Sequence, residues 1–175
     1  MRKTILLFTG MALVSACATF QSIVRSTFPY TATLIVPSSA VVNKAQSATS
    51  SASSFDQIFT GQGTNTNMIK EVRIASAKLE ASNPVDLNLG NISSVKVYLS
   101  RGDGSKEVLV ANRSDVSPNV GPNLVLDIDN SKFLDEVLKG STVRVRMEYV
   151  LRTPFKVDAS IRARLGFTTS PATTQ

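Results

Sequence analysis

The sequence Val-Arg-Val-Arg-Met-Glu-Tyr-Val-Leu runs from residue 143 to 151, and Phe-Lys-Val-Asp-Ala-Ser-Ile-Arg-Ala-Arg-Leu-Gly-Phe runs from 155 to 167. Apolar and polar side chains alternate in both segments, which is typical of antiparallel strands with one buried and one solvated face. Thr153-Pro154 lies between them and predicts a hairpin. The side chains predicted to face the core are Val143, Val145, Met147, Tyr149, Leu151, Phe155, Val157, Ala159, Ile161, Ala163, Leu165 and Phe167.

Six cations fall on the polar face of this predicted hairpin: Arg144, Arg146, Arg152, Lys156, Arg162 and Arg164. Two acids, Glu148 and Asp158, share that face. The excess positive charge predicts a surface for an anionic partner, such as a lipid phosphate, a glycan carboxylate or an acidic protein. A solvated face kept charged for solubility and edge protection would have the same composition. The face has no aromatic side chains for base stacking, so nucleic acid is not expected as a partner.

Strand character extends over most of the chain. Further strands are predicted at 31–36, 55–60, 69–79, 94–100, 106–111 and 124–128. Turn signals separate them, and Asp103-Gly104 is typical of a hairpin turn between 94–100 and 106–111. Together these features predict an all-β fold, either an antiparallel β-sandwich or a partly closed barrel.

Three irregular regions are also expected. Val72 and Ile74 point to the face opposite that of Leu79, so a β-bulge near Ala75 is needed to keep all of them buried. The small-residue segment 38–54 predicts a mobile loop with a polar strand at its end. One short helix is expected near 131–139, with Ser131 as its N-cap and Gly140 as its end. The apolar stripe of that helix would consist of Phe133, Leu134, Val137 and Leu138.

Composition excludes much catalytic chemistry. The chain has no histidine and one cysteine, Cys17, so no catalytic triad, cysteine–histidine pair or zinc site of the usual ligands can form. The spacing required by an EF-hand loop is not met, and the remaining hypothesis for these carboxylates is an irregular cation site formed by Asp127, Asp129 and Asp135. Arg101-Gly-Asp103 matches the tripeptide that integrins recognise, and a turn explains it equally well. We therefore expect neither an enzyme, nor a cofactor, nor a metal ion.

The N-terminus has the features of an export signal. Two cations, Arg2 and Lys3, precede a ten-residue apolar segment, 5–14, which is too short to cross a bilayer as a helix. The next residues, Val14-Ser-Ala-Cys17, resemble the lipobox of bacterial lipoprotein precursors. The resemblance implies cleavage after Ala16 and acylation of Cys17.

The lipobox resemblance, which covers only the first 17 residues, and the strand pattern together predict an organisation for the whole chain. Residues 1–16 would be a signal peptide, 17–28 a lipidated tether, 29–168 the β-sandwich domain and 169–175 a polar tail. The membrane would then be a partner through the N-terminal lipid. By the sorting rule of enteric bacteria, Ala18 after the cysteine implies the outer membrane rather than the inner. Mature residues 70–167, with Asn83-Pro84, are also loosely similar to the LEA-like β-sandwich domains, which supports an immunoglobulin-like sandwich.

These features favour a lipid-anchored cell-envelope protein that acts as a non-catalytic binding or structural module. Its expected partner is an anionic envelope component or an envelope protein. Two alternatives stay open. One is a lipid-handling protein with an acyl-binding groove or barrel interior. The other is an accessory subunit of an envelope complex.

Overall fold

The computed structural model describes residues 27–54, 69–138 and 142–171, which form two antiparallel β-sheets packed face to face. The strands are β1 Thr27–Val36, β2 Ala45–Thr49, β3 Ser53–Ser54, β4 Ile69–Asn83, β5 Ile92–Arg101, β6 Val108–Arg113, β7 Asn123–Val125, β8 Asp127–Ile128, β9 Thr142–Leu151 and β10 Ala159–Pro171. A short helix, α1 (Asp135–Leu138), and a 3-10 turn, Leu89–Asn91, accompany them. The predicted all-β sandwich is confirmed.

The four-stranded sheet has the order β1-β10-β4-β7. The six-stranded sheet has the order β2-β9-β5-β6-β8, and β3 also pairs with β9. At one side of the sandwich the chain passes from β7 to β8, and therefore from one sheet to the other, through buried Leu126. Sheets that pack this way bury the inward set of alternating side chains in one shared core.

The predicted hairpin between the last two long strands is wrong. Strand β9 lies between β2 and β5 in one sheet, whereas β10 lies between β1 and β4 in the other. Residues 152–158 cross from sheet to sheet, so β10 begins at Ala159 rather than at 155. Within that crossing Phe155 still packs into the core at 3% exposure, but Val157 is 51% exposed, contrary to its predicted burial.

The predicted buried faces are otherwise confirmed. The inward residues of β9, from Val143 to Leu151, are at most 2% exposed, and so are those of β10 from Ala159 to Phe167. They belong to a single cluster of buried apolar side chains that both sheets share. Strand β10 continues to Pro171, so residues 169–171 extend the sheet instead of starting the expected polar tail.

The expected β-bulge is at Ala75. Phe167 of β10 pairs with Ile74, and the next residue, Gly166, pairs with Ser76, which leaves Ala75 without a partner in the ladder. The extra residue keeps Ile74 and Leu79 on the same buried face, at 2% and 0% exposure. An alternating pattern that changes phase therefore located a real irregularity.

The Asp103-Gly104 hairpin is confirmed as well. Gly104 has a φ of +86°, and its backbone N–H donates to the Arg101 carbonyl at 2.8 Å. Segment 38–54 is more ordered than predicted, since it forms both β2 and β3. In between, the buried Ser50 hydroxyl accepts a hydrogen bond from the Val145 N–H at 3.0 Å and so replaces a backbone carbonyl. The strand predicted at 55–60 lies outside the described residues.

The predicted helix is much shorter than expected. Ser131 is not its N-cap, because its N–H and hydroxyl donate to Asp129 in a turn and the helix begins only at Asp135. The Leu134 N–H donates to the Val72 carbonyl at 2.8 Å, which holds this segment against β4. Leu134 and Val137 are buried as predicted. Phe133 is 48% exposed, and the predicted end at Gly140 lies outside the described residues.

Candidate functional site

The six predicted cations do not share one face. Arg144 and Arg146 lie on the outer face of the six-stranded sheet, and Arg162 and Arg164 lie on the outer face of the four-stranded sheet. Arg152 lies in the crossing between the sheets, together with Lys156. The outer faces of two packed sheets point in opposite directions, so the single basic face expected from a hairpin is not formed.

The Arg146 side chain contacts neighbouring side chains on its own side of the sandwich. Its Nε and Nη2 each donate to a carboxylate oxygen of Glu107 at 2.8 Å, while Nη1 donates to the Ser47 hydroxyl at 3.1 Å. The guanidinium carbon lies 4.1 Å from the centre of the Tyr98 ring. The hydrogen bonds from Arg146 lower the pKa of Glu107, and those to Glu107 raise the pKa of Arg146. This bidentate, stacked arrangement stabilises the sheet surface.

Arg152 connects three loops at one end of the sandwich. Its Nη1 donates to the Gly90 carbonyl at 2.5 Å and its Nη2 to the Val116 carbonyl at 3.0 Å. Its backbone N–H donates to the Asn91 carbonyl at 2.7 Å. Gly90 and Val116 are buried, so the guanidinium satisfies carbonyls that have little access to water. Arg152 is therefore a structural residue rather than part of an exposed binding face.

The outer face of the four-stranded sheet holds a compact charge cluster. Arg164 lies directly across the ladder from Lys78, and Arg162 lies across from Glu80. Glu80 accepts from Lys78 Nζ at 2.8 Å and from Arg164 Nη1 at 3.2 Å. These contacts, first of all the one from Lys78, lower the pKa of Glu80. Arg162 is exposed and forms no ion pair with any of the described residues, so this cluster has three cations and one carboxylate.

Arg144 and Lys156 are in contrasting environments. Arg144 is half-buried beside Ser100, and its Nε is buried with no hydrogen-bond partner among the described residues. Lys156 is exposed in the crossing. Neither residue lies beside the cluster around Glu80. Of the six cations predicted to form a surface for an anionic partner, only Arg162 and Arg164 therefore remain together, beside Lys78 of β4.

The carboxylates considered for a cation site do not converge. Asp127 pairs with Arg113 Nη1 at 3.3 Å, and Asp135 accepts from the Glu71 N–H at 2.9 Å. Asp129 accepts from Ser131, which lowers the pKa of Asp129. Across 27–54, 69–138 and 142–171, no three metal-ligating side chains form a group.

The Arg101-Gly-Asp103 segment is a closed turn. Arg101 Nε donates to the Glu136 carbonyl at 2.8 Å, and Asp103 accepts from the Ser105 N–H at 2.8 Å. The hydrogen bonds from Ser105 lower the pKa of Asp103. Asp103 therefore stabilises the turn itself, whereas Arg101 connects the start of the turn to α1.

One feature was not predicted from the sequence. An open, polar cleft of about 480 Å³ lies beside the β-bulge, where its lining includes Glu71, Arg73, Asn130 and Thr168. Arg73 Nη1 donates to the Asn130 carbonyl at 2.5 Å, and its guanidinium carbon lies 3.9 Å from the centre of the Phe133 ring. The phase change at Ala75 signalled the bulge. The partners of Arg73 come from about 60 positions away in the chain, and no local pattern shows them.

Comparison of the chain with protein-family models, with curated proteins and with solved structures found no match. No helix in the described part of the chain is long and apolar enough to cross a membrane. Cys17 and the segment before it that resembles a lipobox lie outside the described residues.

Proposed function

We propose that this chain is a lipid-anchored cell-envelope protein whose β-sandwich acts as a non-catalytic binding or structural module. The observation that carries the proposal is the sequence Val14-Ser-Ala-Cys17, in register behind a basic start and a ten-residue apolar segment. Cys17 is the chain's single cysteine, and it stands at the position that lipidation requires. Two or three acyl chains anchor a protein stably, whereas one gives marginal binding.

The chain length between the lipid and the domain limits how far the domain can move. Ten residue steps separate Cys17 from Thr27, where β1 begins. Even fully extended, this segment spans at most about 35 Å. The tether would thus keep the module next to the bilayer and raise its effective concentration toward partners there.

We assign partner binding to the outer face of the four-stranded sheet, around Arg162, Arg164 and Lys78. An anionic envelope component fits the excess of positive charge on that face. The shared cluster of buried side chains between the two sheets supports a packed module rather than the alternative of an acyl-binding interior.

Metabolic labelling with a tagged fatty acid tests the anchor. The parent chain should incorporate the label and sediment with membranes, and Cys17→Ser should do neither. A matched control is the double variant Cys17→Ser with Ser22→Cys, which moves the thiol out of the lipobox and should stay unlabelled. Labelling of Cys17→Ser, or equal labelling of the relocated cysteine, would contradict lipobox-directed acylation.

Photo-crosslinking in intact cells tests the binding face. A crosslinking residue replaces Arg162, and the control replaces Lys96, an exposed cation on the outer face of the other sheet. A product formed at Arg162 and absent at Lys96 supports the assignment, and its mass distinguishes lipid, glycan and protein. Equal yields at the two positions would indicate that the outer face of the four-stranded sheet is a solvated surface without a specific partner.

A further inference from the structure

The outer face of the four-stranded sheet combines positive charge with exposed apolar side chains. At its centre is the cluster around Glu80, in which three cations stand against one carboxylate. Ile35 of β1 is 51% exposed on this face, and Val125, directly across the ladder from Lys78, is 68% exposed. Binding to a bilayer interface increases both with the apolar area buried there and with attraction to anionic lipids. This face offers both contributions.

The outer face of the six-stranded sheet is less suited to an anionic surface. Lys96 and Arg146 each form an ion pair with a glutamate, at 3.2 Å and 2.8 Å. Arg144 on the same face is half-buried. By contrast, Arg162 of the four-stranded sheet is exposed and has no ion pair with any of the described residues. The two outer faces therefore differ in the positive charge that they present to a partner.

The proposed tether joins the domain at the four-stranded sheet. Strand β1, which begins at Thr27, is paired with β10 along its whole length. Arg164 lies across from Thr31, four residues along β1 from Thr27, or about 14 Å. The segment from Cys17 to Thr27 spans at most about 35 Å. Acyl chains on Cys17 would therefore hold the cluster around Glu80 within reach of the lipid headgroups.

We propose that the partner of this face is the bilayer itself, through its anionic lipid headgroups, so that the sandwich lies with its four-stranded sheet against the membrane. This inference rests on the proposed lipid anchor and on the assignment of partner binding to this face. The tether gives the headgroups a high effective concentration at the face. Each Lys or Arg near an anionic membrane strengthens attachment about fivefold, so the two cations in excess here strengthen it about 25-fold.

Contact by the whole sheet would bring residues at both of its margins near the headgroups. Thr33, Arg162, Glu80 and Asn123 form one row across the four strands. The row is three strand spacings wide, about 14 Å. Thr33 and Asn123, at its two ends, are both exposed. A probe at either end should therefore report the bilayer, whereas contact by the β1 side alone would reach Thr33 only.

Fluorescence quenching in proteoliposomes tests this contact with the full, acylated chain. Thr33→Cys and Asn123→Cys each carry a fluorophore on the added thiol, and the vesicles contain lipids with a quencher on the headgroup. Both probes should be quenched in vesicles of phosphatidylcholine with phosphatidylglycerol, and much less in phosphatidylcholine alone. Added salt should reverse the quenching, because it screens the attraction between the cations and the anionic headgroups.

The matched control probe is Thr49→Cys. Thr49 is an exposed threonine on edge strand β2, across from Arg146, as Thr33 is across from Arg162. It lies on the outer face of the other sheet, so its fluorophore should stay unquenched in both kinds of vesicle. Equal quenching at Thr49 and Thr33, or quenching at Thr33 without Asn123, would overturn the proposed orientation.

A pair of charge variants tests whether the cations hold the face to the bilayer. Arg162→Gln with Arg164→Gln should weaken the contact with anionic vesicles about 25-fold, so quenching of the Thr33 probe should fall to its value in phosphatidylcholine. Lys44→Gln with Lys96→Gln removes the same charge from exposed positions directly before β2 and on β5. This control should keep the parent's quenching. An equal loss in both variants would overturn the assignment to this face.

Flotation with phosphatidylcholine vesicles tests the anchor separately, because neutral lipid does not attract the cations. A chain that floats with these vesicles but shows no quenching in anionic ones would keep the anchor and overturn this inference. A chain that does not float with neutral vesicles, yet has both probes quenched in anionic ones, would contradict the anchor and support the contact. The parent chain controls for Cys17, since a label on it would show a free thiol and contradict acylation.

Discussion

Replacing Arg152 tests whether this cation serves the fold or a partner. Its guanidinium donates to the Gly90 and Val116 carbonyls, and Arg152→Ala would leave both without that donor. Hydrogen bonds from a charged group contribute about 1.5–3 kcal/mol each, so the two together reach about 3–6 kcal/mol. Because Arg152 is only partly buried, solvent screening reduces this contribution, and we expect Arg152→Ala to lower the free energy of unfolding by about 3 kcal/mol.

The assay is reversible unfolding in urea, followed by circular dichroism and checked by thermal melting. A loss of about 3 kcal/mol corresponds to a melting temperature about 6–12 °C lower for a chain of this size. Arg152→Lys should recover about half of the loss, since an ammonium group cannot reach two carbonyls with the geometry of a guanidinium fork. Lys156→Ala, in the same crossing but exposed, should change stability by less than about 0.5 kcal/mol.

Two results would refute this reasoning about Arg152. One is a loss below about 1 kcal/mol for Arg152→Ala, within the range of ordinary surface changes. The other is an equal loss for Lys156→Ala, which would mean that the crossing is sensitive to any truncation. The first result would place Arg152 again among the cations that are available to a partner, and the second would show that its stabilising effect is not specific to the guanidinium.

Three further predictions concern the core, a close approach and a charge pair. Ile161→Asp should unfold the domain, so that the cooperative transition at the parent's melting temperature is lost, because it places a carboxylate in the core at a position of 0% exposure. An unchanged melting curve would contradict the inward direction assigned to Ile161. Gly90→Ala should lower the free energy of unfolding, measured in urea, by about 2 kcal/mol or more, because the added Cβ would lie 2.0 Å from the Pro118 carbonyl oxygen. An unchanged free energy of unfolding would mean that this loop shifts freely. Arg146 lowers the pKa of Glu107 below its ordinary 4.5, so this pair stabilises the fold above that pH and loses its contribution as pH falls through the folded value. The stability difference between the parent and Glu107→Gln should therefore shrink on acidification from neutral pH, and a constant difference would show that the pair contributes no pH-dependent stability.

The buried and exposed faces of a strand were predictable where the alternation of apolar and polar residues along the chain indicates them. The alternation in 143–151 assigned every buried residue of β9 correctly, and the phase change near Ala75 located the bulge. The helix was overestimated because a capping serine and an apolar stripe are local signals too. In the folded chain, Asp129 holds Ser131 in a turn, and the Leu134 N–H is bonded to β4. Long-range hydrogen bonds thus replaced the predicted first turns.

The candidate site depended on information that alternation does not contain. Residues 144, 146, 162 and 164 were correctly placed on polar faces, but a strand's pattern does not say which sheet it joins. Arg152 was assigned to an exposed face, and its carbonyl partners come from loops 36 and 62 positions away. Such partners become neighbours only when the two sheets pack.

By itself, the sequence determined the β class and the direction of most side chains, and it supplied the resemblance to a lipobox at Cys17. These are properties of a few adjacent residues, and backbone geometry turns a period of two directly into two faces. The tertiary structure alone decided that β9 and β10 belong to different sheets, and it thereby decided how the basic residues are distributed. The physical reason is that both sheets bury the same kind of apolar face, so the choice between a hairpin and a crossing depends on packing across the whole core.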